Sequence, residues 1–137
     1  MRRWTRNFNI FEFRYVVIPY NVNRNHWLLF VADVEACMIK ALDSMGGKFP
    51  RELRALQAYF VSENRVKQPG AAPKQWSLRE SDATVPSQGR NRTECGVFMA
   101  MLARCVLSGC HWEAATLSDC PRLRKRMVLD FLRKHIA

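Results

Sequence analysis

Residues 95–107, CGVFMAMLARCVL, are apolar on nearly every side. Val97, Phe98, Met99, Met101, Leu102, Cys105, Val106 and Leu107 are too dense for the single stripe of a surface helix. A helix of this composition belongs in the centre of a fold, with other elements covering several of its sides. Thr93 is placed to cap its start and Gly109 to end it. The rest of the chain therefore has to supply the cover.

Two short apolar runs are suited to that task. Trp27–Val31 has the length of a buried strand, and Cys37–Leu42 is a second run of the same kind. The short link Val34-Glu35-Ala36 between them suits a hairpin. Before them, Tyr15–Ile18 is rich in β-branched residues and is expected to stop at Pro19, which lacks a ladder donor. Asn21–Asn25 then reads as a turn, and the pair Gly46-Gly47 as a tight turn that closes the strand region.

Pro50 opens a helix whose inward face carries Leu53, Leu56 and Phe60. Ser62–Lys74 reads as a polar surface loop, and Trp76–Leu78 as one more short strand. Residues 79–94 form a long polar loop, which inside a compact domain points to function. A final helix is expected from about Asp119 to His135. Leu123, Met127 and Phe131 should face inward and Arg122, Arg124, Arg126, Arg133 and Lys134 largely outward. At the other end, Trp4 and Phe8 are the apolar anchors of a basic segment.

Composition narrows the class. With 137 residues and 48% hydrophobic content, the chain suits one folded domain over 1–137 and is too apolar for disorder. The longest apolar run, Trp27–Ala32, is far short of a membrane span, and the N-terminus lacks the ordered parts of a secretion signal. Five cysteines without paired spacing suit reduced thiols in the nucleus or cytoplasm. Without a CxxC pattern, neither a metal nor another cofactor is expected. A formal charge of +10 speaks to partners, but the basic residues are dispersed and no nucleic-acid module is visible. An acidic protein partner fits that charge, whereas nucleic acid is not expected as the main partner.

Within this frame lie a histidine, an acid, an amide and a cysteine: His26, Asp43, Gln88 and Cys95. Acyl transfer through a thiol needs a base, a group that orients it, an oxyanion donor and a nucleophile. Cys95 opens the apolar helix, where unpaired N–H groups and the helix dipole favour a thiolate. His111 and His135 have no acid in a matching frame, so the base is His26. Taken alone, Asp43 also fits a turn-forming Asp-Ser, Gln88 an ordinary loop glutamine, and Trp27 a core aromatic.

The contexts of these residues extend the reading. RRWTRNFNIF, VVIPYNVNRNHW, LDSMGG, VPSQGRNRTECGVF and PRLRKRMVLDFLRK follow one another in order. Together they resemble the Ulp1/sentrin-specific protease family of cysteine peptidases, which process SUMO and remove it from proteins. The resemblance implies an α+β, papain-like fold of the Ulp1 type, with a small mixed sheet packed on the helix that carries the cysteine. It implies Cys95 as nucleophile, His26 as base, Asp43 as orienter and Gln88 as oxyanion donor. It also makes Trp27 the aromatic roof over the diglycine of SUMO or a related ubiquitin-like modifier. Seven positions separate Gln88 from Cys95 where the family has six, an excess that Gly89, Arg90 and Asn91 can absorb, and Glu94 stands for the commoner Asp. The match begins close to the histidine strand. The chain is therefore expected to correspond to the C-terminal portion of the family's catalytic domain, with part of the docking face open. An inactive remnant or a module that only binds a ubiquitin-like protein is the alternative that this late start implies.

Overall fold

The structure, a computed structural model, describes residues 5–111 and 116–132. The expectations for Trp4 and for the stretch from Arg133 to His135 lie outside them. Four strands form one sheet in the order β1 (Tyr15–Val22), β2 (His26–Asp33), β3 (Met38–Leu42) and β4 (Ser77–Arg79). The first three are antiparallel, whereas β4 runs parallel to β3. The crossover between those two contains α1 (Pro50–Lys67), and α2 (Cys95–Ser108) and α3 (Cys120–Leu132) follow. This is the mixed-sheet α+β architecture that the sequence implies.

Side-chain alternation along the strands gives each face its own core. Leu28, Phe30 and Ala32 of β2 join Ile39 and Ala41 of β3 against Leu53 and Phe60 of α1. Leu29, Val31 and Leu42 point the other way, onto Val97, Phe98, Met101 and Leu102 of α2. Leu28, Leu29, Phe30 and Phe60 are essentially fully buried, and each such side chain is worth about 1.5–3 kcal/mol of burial. The sheet thus separates α1 from α2, and α3 covers part of the outer side of α2 through Cys120 and Leu123.

Several boundaries differ from the sequence reading. Strand β1 does not stop at Pro19, which lies opposite Leu29 within the strand. Because β1 is an edge strand, a residue without an N–H is tolerated there. The turn accordingly shrinks to Asn23–Asn25, with Asn23 and Arg24 both at positive φ and the Asn25 N–H donating to the Val22 carbonyl. Helix α1 continues through residues 62–67, first read as loop. Its Glu63 is buried there, accepting from the Thr5 hydroxyl at 2.8 Å.

The last helix also departs from expectation. Leu123 packs inward, but Met127 is 41% and Phe131 79% exposed. Only the first turns of α3 dock on the core. Farther along, polar contacts attach it, Arg104 donating to Asp130 at 3.1 Å and Arg124 to Glu94 at 2.8 Å. Arg124 faces outward as expected, and this pair gives it a partner at the start of α2.

Candidate active site

Strand register brings the base and its acid together. The β2–β3 pairing ends with Leu29 opposite Leu42, so Asp43 leaves β3 beside the start of β2, where His26 lies. The His26 Nε2 and Asp43 Oδ1 atoms are 2.5 Å apart, with the carboxylate almost wholly buried and the imidazole largely so. Asp43 engages Nε2, so Nδ1 is the ring nitrogen left for proton transfer.

Backbone donors clamp the carboxylate in place. The Met45 N–H donates to Oδ1 at 3.1 Å and the Gly47 N–H to Oδ2 at 2.7 Å. A Cβ on Gly47 would stand 2.9 Å from Oδ2 and 2.9 Å from the Phe49 ring, so this close approach requires glycine. Ser81 holds the backbone of the same residue, its hydroxyl accepting from the Asp43 N–H and donating to the Asp43 carbonyl. The Gly46-Gly47 turn is therefore also the cradle of the acid.

Cys95 is the first residue of α2 and is buried, at 7% exposure. First-turn N–H groups have no carbonyl one turn below them. Among the described residues, neither the Cys95 sulfur nor its N–H makes a hydrogen bond. Next to it, the position of a Cβ on Gly96 lies 3.9 Å from Cδ1 of Trp27. Trp27 and Gly96 follow His26 and Cys95 in sequence, so the contact brings the start of β2 against the start of α2. Trp27 is 40% exposed and not a core aromatic; it lies against the residue that follows the cysteine.

Gln88 is fully buried in the loop before α2. Its Oε1 accepts from the Ser44 hydroxyl at 2.6 Å, and its Nε2 donates to the Asn91 carbonyl at 2.6 Å. Asn91 organises the entry to the helix in place of Thr93: its Oδ1 accepts from the N–H groups of Thr93 and Glu94. The helix N-cap itself is Glu94, without a side-chain cap. A turn runs from Gln88 to Asn91, with Gly89 at φ +57° and the Asn91 N–H donating to the Gln88 carbonyl.

A cavity of about 370 Å³ opens beside His26, lined by Asn25, Asp43, Met45, Gly47, Phe49 and Arg92. Among the described residues, no cluster of His, Cys, Asp or Glu is arranged to hold a metal ion, and no helix is long and apolar enough to cross a membrane.

Residues 1–135 match the family described as Ulp1 protease family, C-terminal catalytic domain. The chain belongs to the Ulp1 protease family. Human sentrin-specific protease 2 is 28% identical over 137 residues, a match covering 99% of this chain and 23% of that protein. Ubiquitin-like-specific protease 1A of Arabidopsis thaliana is 33% identical over 103 residues, or 72% of this chain and 20% of its own length. The chain thus spans about a quarter or less of the relatives it matches. Among solved structures, the Ulp1-like SUMO protease catalytic domain of Chaetomium thermophilum superposes with a TM-score of 0.73 at 25% identity, covering 94% of this chain and 49% of that one. The C-terminal Ulp1 protease domain in complex with Smt3, the yeast ortholog of SUMO, gives 0.71 at 21%, covering 90% and 55%. These likenesses establish a Ulp1-type fold.

In this member of the family the sequence reading names His26, Asp43, Gln88, Cys95 and Trp27, and it misses the residues that hold them. Ser44, Ser81 and Asn91 carry no chemistry of their own and lie in turns, where such side chains are common. The signal available for Ser44 was its place directly after Asp43 in LDSMGG.

Proposed function

We propose that this chain is a cysteine peptidase that cleaves after the C-terminal diglycine of SUMO or a related ubiquitin-like modifier. The observation that carries the reading is the pairing of His26 with Asp43 at the start of β2, where the next residue, Trp27, lies against Gly96, the residue after Cys95 at the start of α2. Family membership supports the reaction class. A relative of the same fold solved with the yeast ortholog of SUMO supports the substrate.

His26 Nδ1 takes the proton of Cys95, and the sulfur attacks the carbonyl of the terminal glycine. Asp43 holds the ring and stabilises the imidazolium that forms. Negative charge on the carbonyl oxygen is met by the unclaimed Cys95 N–H and by an N–H of Gln88, whose amide has two and gives one to Asn91. The imidazolium then protonates the departing amine, and water releases the acyl group from sulfur through the same base. Trp27 roofs the substrate's glycines, because a flat ring close above the backbone leaves no room for a Cβ. The cavity with Arg92 gives space beside the base for the part of the substrate that carries the amine. Five free thiols suit work in the nucleus or cytoplasm.

A SUMO precursor extended beyond its diglycine tests this. Cleavage after the second glycine is expected with the wild-type chain and not with Cys95→Ala. Equal or faster cleavage of a ubiquitin precursor would overturn the substrate assignment.

A further inference from the structure

We infer that Ser44 is a positioning residue for the oxyanion donor, fixing which end of the Gln88 amide faces the reacting carbonyl. The inference rests on the proposed peptidase reading and extends it to a residue with no part in the proton transfers. An amide can turn over with little change in shape, and only its NH2 end stabilises a negative oxygen. With the Oε1 end toward the substrate, a lone pair would oppose the developing charge. The orientation therefore has to be imposed from behind.

Two partners impose it. The Asn91 carbonyl can only accept, so it holds the NH2 end at 2.6 Å. The Ser44 hydroxyl donates to Oε1 at 2.6 Å and secures the opposite end. Turning the amide over would set Oε1 against the Asn91 carbonyl oxygen. A second bond, from the Gln88 N–H to the Ser44 carbonyl at 2.9 Å, ties the two residues at the backbone. Ser44 and Gln88 are 3% and 0% exposed, so water has little access to replace the hydroxyl. Ser44 also follows Asp43 directly. One strand end thus sets the ring orienter and the oxyanion donor together, and it is anchored by Ser81.

This role separates from a merely structural one because alkylation of a thiol develops no oxyanion. Ser44→Ala, Gln88→Ala and the double variant are to be compared on SUMO bearing a C-terminal aminocoumarin amide, with Cys95 alkylation by iodoacetamide followed in parallel. The expected result for Ser44→Ala is a fall in kcat of about 10- to 100-fold, smaller than the roughly 100- to 1000-fold for outright loss of an oxyanion donor, because the amide itself stays in place. KM and the alkylation rate should stay near wild type. The double variant should lose little more than Gln88→Ala alone, since both changes remove one function. Ser44→Thr keeps the hydroxyl and should retain most of the activity; it carries the test if Ser44→Ala does not fold. Wild-type kcat in folded Ser44→Ala, multiplying losses in the double variant, alkylation falling in step with kcat, or an inactive but folded Ser44→Thr would each overturn the assignment. A wild-type chain with no turnover and an unreactive Cys95 would instead overturn the peptidase reading, and the inference with it.

Discussion

The indole of Trp27 lies against Gly96, with 3.9 Å between Cδ1 and the position a Cβ would take there. Each of these residues follows a proposed catalytic one, so this contact joins the start of β2 to the start of α2. It also leaves the ring 40% exposed at the edge of the site.

Trp27→Ala should therefore fold. Its kcat/KM toward the SUMO substrate is expected to fall by about 10- to 100-fold, the size of effect for loss of an aromatic anchor. Steady-state kinetics beside a thermal melt check this. A wild-type kcat/KM, or a collapse of the melt, would place Trp27 in the core and not over the substrate.

Gly47→Ala should damage the site without replacing a proposed catalytic residue. The added methyl would stand 2.9 Å from Asp43 Oδ2 and from the Phe49 ring, so the carboxylate or the turn has to move. A stability loss of about 1–3 kcal/mol is expected from the overpacking. Activity should fall further than that loss explains, because His26 loses its fixed partner. Chemical denaturation and turnover measured on the same sample separate the two effects.

Much of this architecture is legible in the sequence. The apolar run of α2 and the hairpin of β2 and β3 follow from patterns that burial imposes on any chain. The exposed end of α3 was not legible. Leu123, Met127 and Phe131 share a helical spacing, but spacing cannot tell how far along a helix its docking partner extends. Pro19 misled for a related reason: a missing N–H ends a central strand but not an edge strand, and position in the sheet is a tertiary property. The continuation of helix α1 through Glu63 was not legible because the hydroxyl that donates to this buried carboxylate, on Thr5, lies 58 residues away. The sequence names candidate reacting residues, whereas their supports are not legible in it. Ser44, Ser81 and Asn91 act through hydrogen bonds that exist only once the chain is folded.

Thiol reactivity should divide the five cysteines. Burial, with the neighbouring Cys110 thiol, pushes Cys105 up to about 12, and burial followed by Glu94 pushes Cys120 up as well. A raised value means that the proton is held, so Cys105 stays a thiol at pH 8. Brief iodoacetamide treatment of the native chain at pH 8 should leave both unmodified, as peptide mass spectrometry would show. Modification of Cys105 as fast as the exposed Cys110 would contradict the packing of α2 described above.

The central claim is that Cys95, served by His26 and Asp43, attacks the end of a diglycine-terminated modifier. It is tested most directly by mixing the chain with SUMO whose C-terminal carboxylate is replaced by an electrophile. A covalent adduct mapping to Cys95 is expected with the wild type, much slower adduct formation with His26→Ala, and none with Cys95→Ala. No adduct at any probe concentration, or an adduct on another cysteine, would contradict the account.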